Sequence, residues 1–175
     1  MIDPHAVSYR NIDPSDYDEI ETLESEEFAG DDDLISEELE QMFESPNQFV
    51  DYECLVAEYQ GKIIGYIISM VPTDFPKFRH IMRLLVTTEV RRQGVGSELL
   101  DRVQPTKMGY RVSVEVPEDD YATAAFYKAN KYIVTTVVPA EHSDDGELEM
   151  EGYFLLTNEQ KETLELSQRL KWKVK

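Results

Sequence analysis

Residues 90–100 read VRRQGVGSELL, and this stretch decides how the chain around it is organised. RHIMRLLVT (79–87), immediately before it, reads as a buried strand. After it Val95, Leu99, Leu100 and Val103 fall on one helical face, and Pro105 ends the helix. A strand that runs through a glycine-bearing turn into a helix leaves several backbone N–H groups unpaired at the helix start. Glycines at 94 and 96 let a ligand approach that backbone without Cβ clashes, and the helix dipole favours an anion there. Arg91 and Arg92 add positive charge at the same place. The pattern predicts a pyrophosphate cradle; its plain alternative is tight strand–helix packing. Neither the G-x-x-x-x-G-K-[ST] loop nor the glycine spacing of the dinucleotide fingerprint is present.

Working outward, AVSYRNI (6–12) reads as a first strand, and Asp13 caps a helix opened by Pro14. Tyr17, Ile20, Leu23 and Phe28 share a face of that helix. Gly30 and Asp31–Asp33 break it before a second short helix carrying Leu34, Ile35, Leu39, Met42 and Phe43. The three aspartates read as a solvated loop and helix start, where negative charge suits the dipole. ECLVAEYQGKIIGYIISMV (53–71) is a hairpin turning at Gln60-Gly61. GYRVSVEV (109–116) is a strand, 121–129 a helix with Asn130 as its left-handed stop, and YIVTTVV (132–138) and 149–156 are the last strands. The loop EHSDDGE between them reads as polar and mobile. The order β-α-α-β-β-β-α-β-α-β-β indicates a mixed α/β sheet with helices on its faces. Residues 1–157 form one domain, and 158–175 add a helical appendage to it.

The chain of 175 residues carries 36 Asp+Glu against 17 Lys+Arg, a formal net charge of −19. Such a field repels nucleic acid and anionic membranes and attracts cationic acceptors. Solubility, or a salty host cytoplasm, is the plain reading of the same acidity. No apolar run approaches the roughly 20 residues of a membrane span, and the N-terminus has no signal-peptide core. A single cysteine, Cys54, excludes an internal disulfide and fits a reducing cytoplasm. It falls in a strand and reads as buried. His5, His80 and His142 lack metal-ligand spacing, so neither a metal nor a covalent intermediate is expected.

Arg91, Gly94 and Gly96 fill the signature [Q/R]-x-x-G-x-[G/A] of the GNAT acyltransferase superfamily, which this segment resembles. VEVPEDDYATAAFYKANKY (114–132) resembles the family's second block, a strand ending in E-V followed by an A-x-x-[FL]-Y helix. The resemblance spans roughly 7–157 and is strongest over 79–132. It is nearest to the RimI-like ribosomal-protein alanine and archaeal N-terminal acetyltransferase branch. It implies a mostly antiparallel mixed sheet splayed at its central strands, with flanking helices.

It also implies acetyl-CoA as cosubstrate. The thioester end would lie along Leu84, Leu85 and Val86, where a backbone N–H polarises the carbonyl, and the phosphates on Arg92, Gln93, Gly94, Val95, Gly96 and Ser97. Glu115 matches the branch's general base, although between Val114 and Val116 it is equally a solvent-facing strand residue. Tyr127 matches the general acid, one turn into the next helix, with packing beside Phe126 as the alternative. Asp120 stands where the branch carries a cofactor-contacting asparagine; an ionised aspartate accepts but cannot donate. The implied acceptor is a protein N-terminal α-amine, then a lysine. A small cationic amine such as a polyamine or aminoglycoside, or a non-catalytic acyl-CoA-binding role, are the other readings. Oligomeric state is left open.

Overall fold

The computed structural model describes residues 2–27, 35–44, 47–104, 111–117, 120–137 and 147–153. Phe28, Gly30, Asp31–Asp33, Leu34, Pro105, His142, the EHSDDGE loop up to Gly146 and the helix expected from 158 lie outside them.

Among the described residues seven strands form one sheet in the order β1-β2-β3-β4-β5-β7-β6. β1 (Val7–Asn11), β2 (Val50–Tyr59), β3 (Lys62–Pro72) and β4 (Phe78–Val86) pair antiparallel in succession. β5 (Arg111–Pro117) runs parallel to β4, and β7 (Glu147–Tyr153) lies between β5 and β6 (Ile133–Val137), antiparallel to both. Gln60 and Gly61 both take positive φ, 54° and 75°, as a two-residue hairpin with the strands' own twist requires.

The strand alternation sends apolar side chains to both faces, and each face has its own helical cover. Ile20, Leu23 and Tyr17 of α1 (Tyr17–Glu27) and Leu39 of α2 (Ile35–Glu44) pack on Val56, Tyr66, Ile68 and Leu85. Leu99, Leu100 and Val103 of α3 (Val95–Val103) and Ala124 and Tyr127 of α4 (Tyr121–Ala129) pack on Ile67, Ile81, Val112 and Val114. Asp13 caps the 3-10 turn Pro14–Asp16 that leads into α1, in a reciprocal capping box with Asp16. Cys54 is buried, and burial first, then the charges of Asp16 and Glu53, push its thiol up to about 12, which leaves it inert.

One helix stop moves by a residue. Asn130 was the expected left-handed position, but its φ is −87° and Lys131 takes φ 72° instead. Tyr132 N–H donates to Tyr127 O and Lys131 N–H to Lys128 O, each at 3.0 Å, the bonding pattern of a Schellman stop centred on Lys131. The register is set by the ring contact of Tyr127 with Tyr132, 5.2 Å between centroids, which locks the two ends of that turn together. Asn130 instead donates its side-chain amide to Phe126 O at 2.9 Å.

Candidate active site

β4 has two different edges. Toward β3 its pairing runs from Met70↔His80 to Gly65↔Val86, with a bulge that leaves Met82 unpaired. Toward β5 it runs only from Phe78↔Arg111 to Ile81↔Val114. His80 Nδ1 and Ser113 Oγ meet at 2.9 Å next to that last rung. Beyond it the strands part, and a cleft of about 270 Å³ opens between Leu84 and Leu85 on one side and Glu115 and Pro117 on the other. In an antiparallel ladder alternate residues turn N–H and C=O away from the partner. Past Ile81 those groups therefore face the cleft and not another strand.

Tyr127 closes the inner end of the cleft. It is the seventh residue of α4, nearly two turns in, deeper than the single turn expected from the sequence. Its ring is buried between Phe126 and Tyr132, with centroids at 5.1 and 5.2 Å. Its hydroxyl makes no hydrogen bond among the described residues, and it is not a sealed orphan either. Burial, then the neighbouring Tyr132, raises its pKa, so the phenol holds its proton at neutral pH. Glu115 is exposed between buried Val114 and Val116 and lines the same cleft from β5.

Asp120 caps α4, accepting from Thr123 N–H at 2.9 Å. Burial raises its pKa, but the Thr123 and Ala122 hydrogen bonds and the charge of Arg91 outweigh that, and the carboxyl titrates below its usual range. It lines the cleft as a carboxylate.

The turn after β4 holds two residues in positive-φ backbone. Arg92 has φ 61° and Gly94 φ 91°, and Gly94 is the N-cap of α3. A Cβ on Gly94 would point into open space, so its glycine serves the backbone conformation and leaves the approach clear. Gly96 is different. A Cβ there would come within 3.3 Å of the Phe126 ring and 3.5 Å of Val86 Cγ2. A glycine here therefore also eases the packing of α3 against α4. Val95 is buried and Ser97 half-buried.

The two arginines also part company. Arg91 donates Nε–H to Val86 O at 2.8 Å and Nη2–H to Glu27 Oε2 at 2.5 Å. Arg92 is exposed and makes no ion pair among the described residues. Gln93 turns inward, its Oε1 accepting from Ile2 N–H at 2.8 Å and its Nε2 donating to Glu89 O at 3.2 Å.

A family model described as the acetyltransferase (GNAT) family matches residues 17–132. The chain belongs to the GNAT acetyltransferase family. Membership makes it an acyltransferase. Solved structures agree in fold. An Ard1 from Thermoplasma volcanium is 22% identical, with TM-score 0.65, 86% of this chain and 99% of that one covered. The ribosomal-protein-S18-alanine N-acetyltransferase from Escherichia coli is 14% identical, with TM-score 0.67 and coverage of 87% and 97%. An Arabidopsis thaliana Naa50, in complex with the bisubstrate analogue CoA-Ac-MVNAL, is 16% identical, with TM-score 0.68 and coverage of 85% and 99%. No curated protein sequence matches the chain. No helix among the described residues is long and apolar enough to cross a membrane.

Sequence reading missed several residues that build this GNAT site. Glu24 of α1 lines the cleft, accepting from the Tyr66 hydroxyl and from Arg83 Nη1 at 3.2 Å. Glu27, one turn on, accepts from Thr88 and Arg91. A signal existed, because Ile20, Glu24 and Glu27 stand four and three residues apart on one helical stripe. Carboxylates on an apolar stripe are placed for partners inside the protein. Gly65 was also missed; a Cβ there would sit 2.7 Å from Leu85 O, so β3 can lie against the cleft wall only as glycine.

Proposed function

We propose that the protein is an acetyl-CoA-dependent N-acetyltransferase that transfers the acetyl group directly to an amine, with a protein N-terminal α-amine as acceptor and a lysine side chain second. The observation that carries this is the Tyr127 hydroxyl, protonated, without a partner among the described residues, at the inner end of a cleft that Glu115 also lines. The CoA bisubstrate analogue bound by the Naa50 of the same fold supports acetyl-CoA as cosubstrate.

In this scheme the gap-facing backbone of Leu84, Leu85 and Val86 orients the thioester and stabilises its oxyanion. Glu115 takes a proton from the acceptor ammonium, directly or through water, and the freed lone pair forms the carbon–nitrogen bond. As the carbon–sulfur bond breaks, Tyr127 gives its proton to the departing thiolate, and the second proton on the new amide nitrogen passes through water to return the phenolate to phenol, while Glu115 releases its proton to solvent. The products are the acetamide and free CoA. Arg92 and the amides of the Gly94 turn hold the phosphates, and Asp120 borders the cofactor as an acceptor only. A reducing cytoplasm is the compartment this reading implies.

A small cationic amine is the second reading, favoured by the net charge of −19 and by Glu24 and Glu115 in the cleft wall. Thiol release from acetyl-CoA with N-terminal peptides, lysine peptides, polyamines and aminoglycosides separates them. Turnover confined to peptides with free α-amines is the expected result. Turnover with polyamines alone reassigns the acceptor, and binding of acetyl-CoA with no turnover on any amine removes the enzymatic reading.

A further inference from the structure

Thr87, at the N-cap of the 3-10 turn Thr88–Val90, makes no side-chain capping bond. The bond comes from another element. Glu27, the last residue of α1, accepts Thr88 N–H on Oε1 at 2.8 Å. Its Oε2 accepts the Thr88 hydroxyl at 2.8 Å and Arg91 Nη2–H at 2.5 Å. The carboxylate is half-buried and less exposed than Arg91, 12% of its side chain against 52%. Arg91 in turn holds Val86 O at 2.8 Å, so one side chain from α1 fixes both ends of the segment between the cleft wall and Arg92.

We propose that Glu27 is a positioning residue for acetyl-CoA: it clamps the 88–91 turn so that the strained Arg92–Gly94 backbone is set for phosphate before the cofactor arrives. Arg91 is the strut of that clamp, and Arg92 is the cation left to meet the phosphates. The inference rests on the phosphates lying on this turn. Its value lies in the sign of its effect. Glu27 is a negative charge beside a polyanion site, so by Coulomb's law alone its removal tightens cofactor binding. If it acts as the clamp, removal weakens binding, because the ligand must then order the turn itself.

Calorimetric titration of the full chain with acetyl-CoA tests this, since it reports stoichiometry and Kd separately. Misfolding lowers the stoichiometry of binding, whereas loss of positioning raises Kd in molecules that still bind. Glu27→Ala is expected to raise Kd about tenfold, the order of one lost charge-assisted hydrogen bond. Glu27→Gln, which keeps an acceptor for Thr88 but loses the ion pair, is expected to fall between. In an Arg91→Ala background Glu27→Ala is expected to cost less than in the wild type, since part of its effect passes through Arg91. An unchanged or lower Kd for Glu27→Ala, with wild-type affinity intact, overturns the clamp and leaves the cofactor site standing. Absence of acetyl-CoA binding by the wild-type protein overturns the cofactor reading, and the clamp with it.

Discussion

The two edges of β4 are made by the same nine residues and do opposite things. Its β3 edge is paired to the end, and Gly65 lies so close to Leu85 and Val86 that a Cβ there would not fit. Its β5 edge stops pairing at Ile81, and the cleft begins there. A closed edge spends its backbone groups on the ladder; an open edge keeps them for a ligand, at a cost that only the rest of the fold can offset. Substitutions on the open side should therefore change rate and leave stability alone, and those on the closed side should do the reverse.

The largest effect belongs to the open side. Tyr127→Phe removes one hydroxyl with little change in packing, and kcat should fall on the order of 10²–10⁴-fold with acetyl-CoA affinity kept. A variant that melts early yet turns over normally would place Tyr127 among the core residues only. Glu115→Gln should lower kcat/KM about 10²-fold and remove the acidic limb of its pH profile, since the amide cannot take a proton. An unaltered profile would move the base to another carboxylate or to water alone.

On the closed side, Gly65→Ala should cost about 1–3 kcal/mol, because the obstacle, Leu85 O, is backbone and cannot swing away. For a domain of this size that lowers Tm by roughly 2–4 °C per kcal/mol. Unchanged melting would show that the strands separate freely here and that the contrast between the edges is overstated. The smallest effect is expected at Asp120, which lines the cleft and also caps α4. Asp120→Ala should cost about 1 kcal/mol as a lost N-cap, and Asp120→Asn almost nothing. The folded carboxyl titrates low, so the Ala deficit should be complete above the ordinary carboxylate range and shrink as pH falls through the depressed value. Asp120→Asn should also tighten acetyl-CoA a few-fold, because it exchanges a carboxylate for a donor; calorimetry showing weaker binding would mean that the wild-type carboxylate itself makes a useful contact.

Much of this was legible in the chain. Periodicity and turn chemistry set the order of elements, the Gln60-Gly61 hairpin, the Asp13-Pro14 start and the buried strand position of Cys54, because each depends on neighbours a few residues away. The Gly94 turn was visible for the same reason, since its positive φ is a local demand. Other features are set at long range. Gly65 is glycine because of Leu85, twenty residues along the chain. Glu24 and Glu27 stand on the stripe of Ile20, but their partners Tyr66, Arg83, Thr88 and Arg91 are brought to them only by β3, β4 and the following turn. Lys131 took the left-handed position from Asn130 because two tyrosine rings had to meet. The sequence by itself determined which segments are helix and strand and where the glycine turn between β4 and α3 falls. Only the tertiary structure decided where β4 and β5 part, and which acidic and glycine residues that gap requires, because a strand's open edge is defined by the partner it lacks.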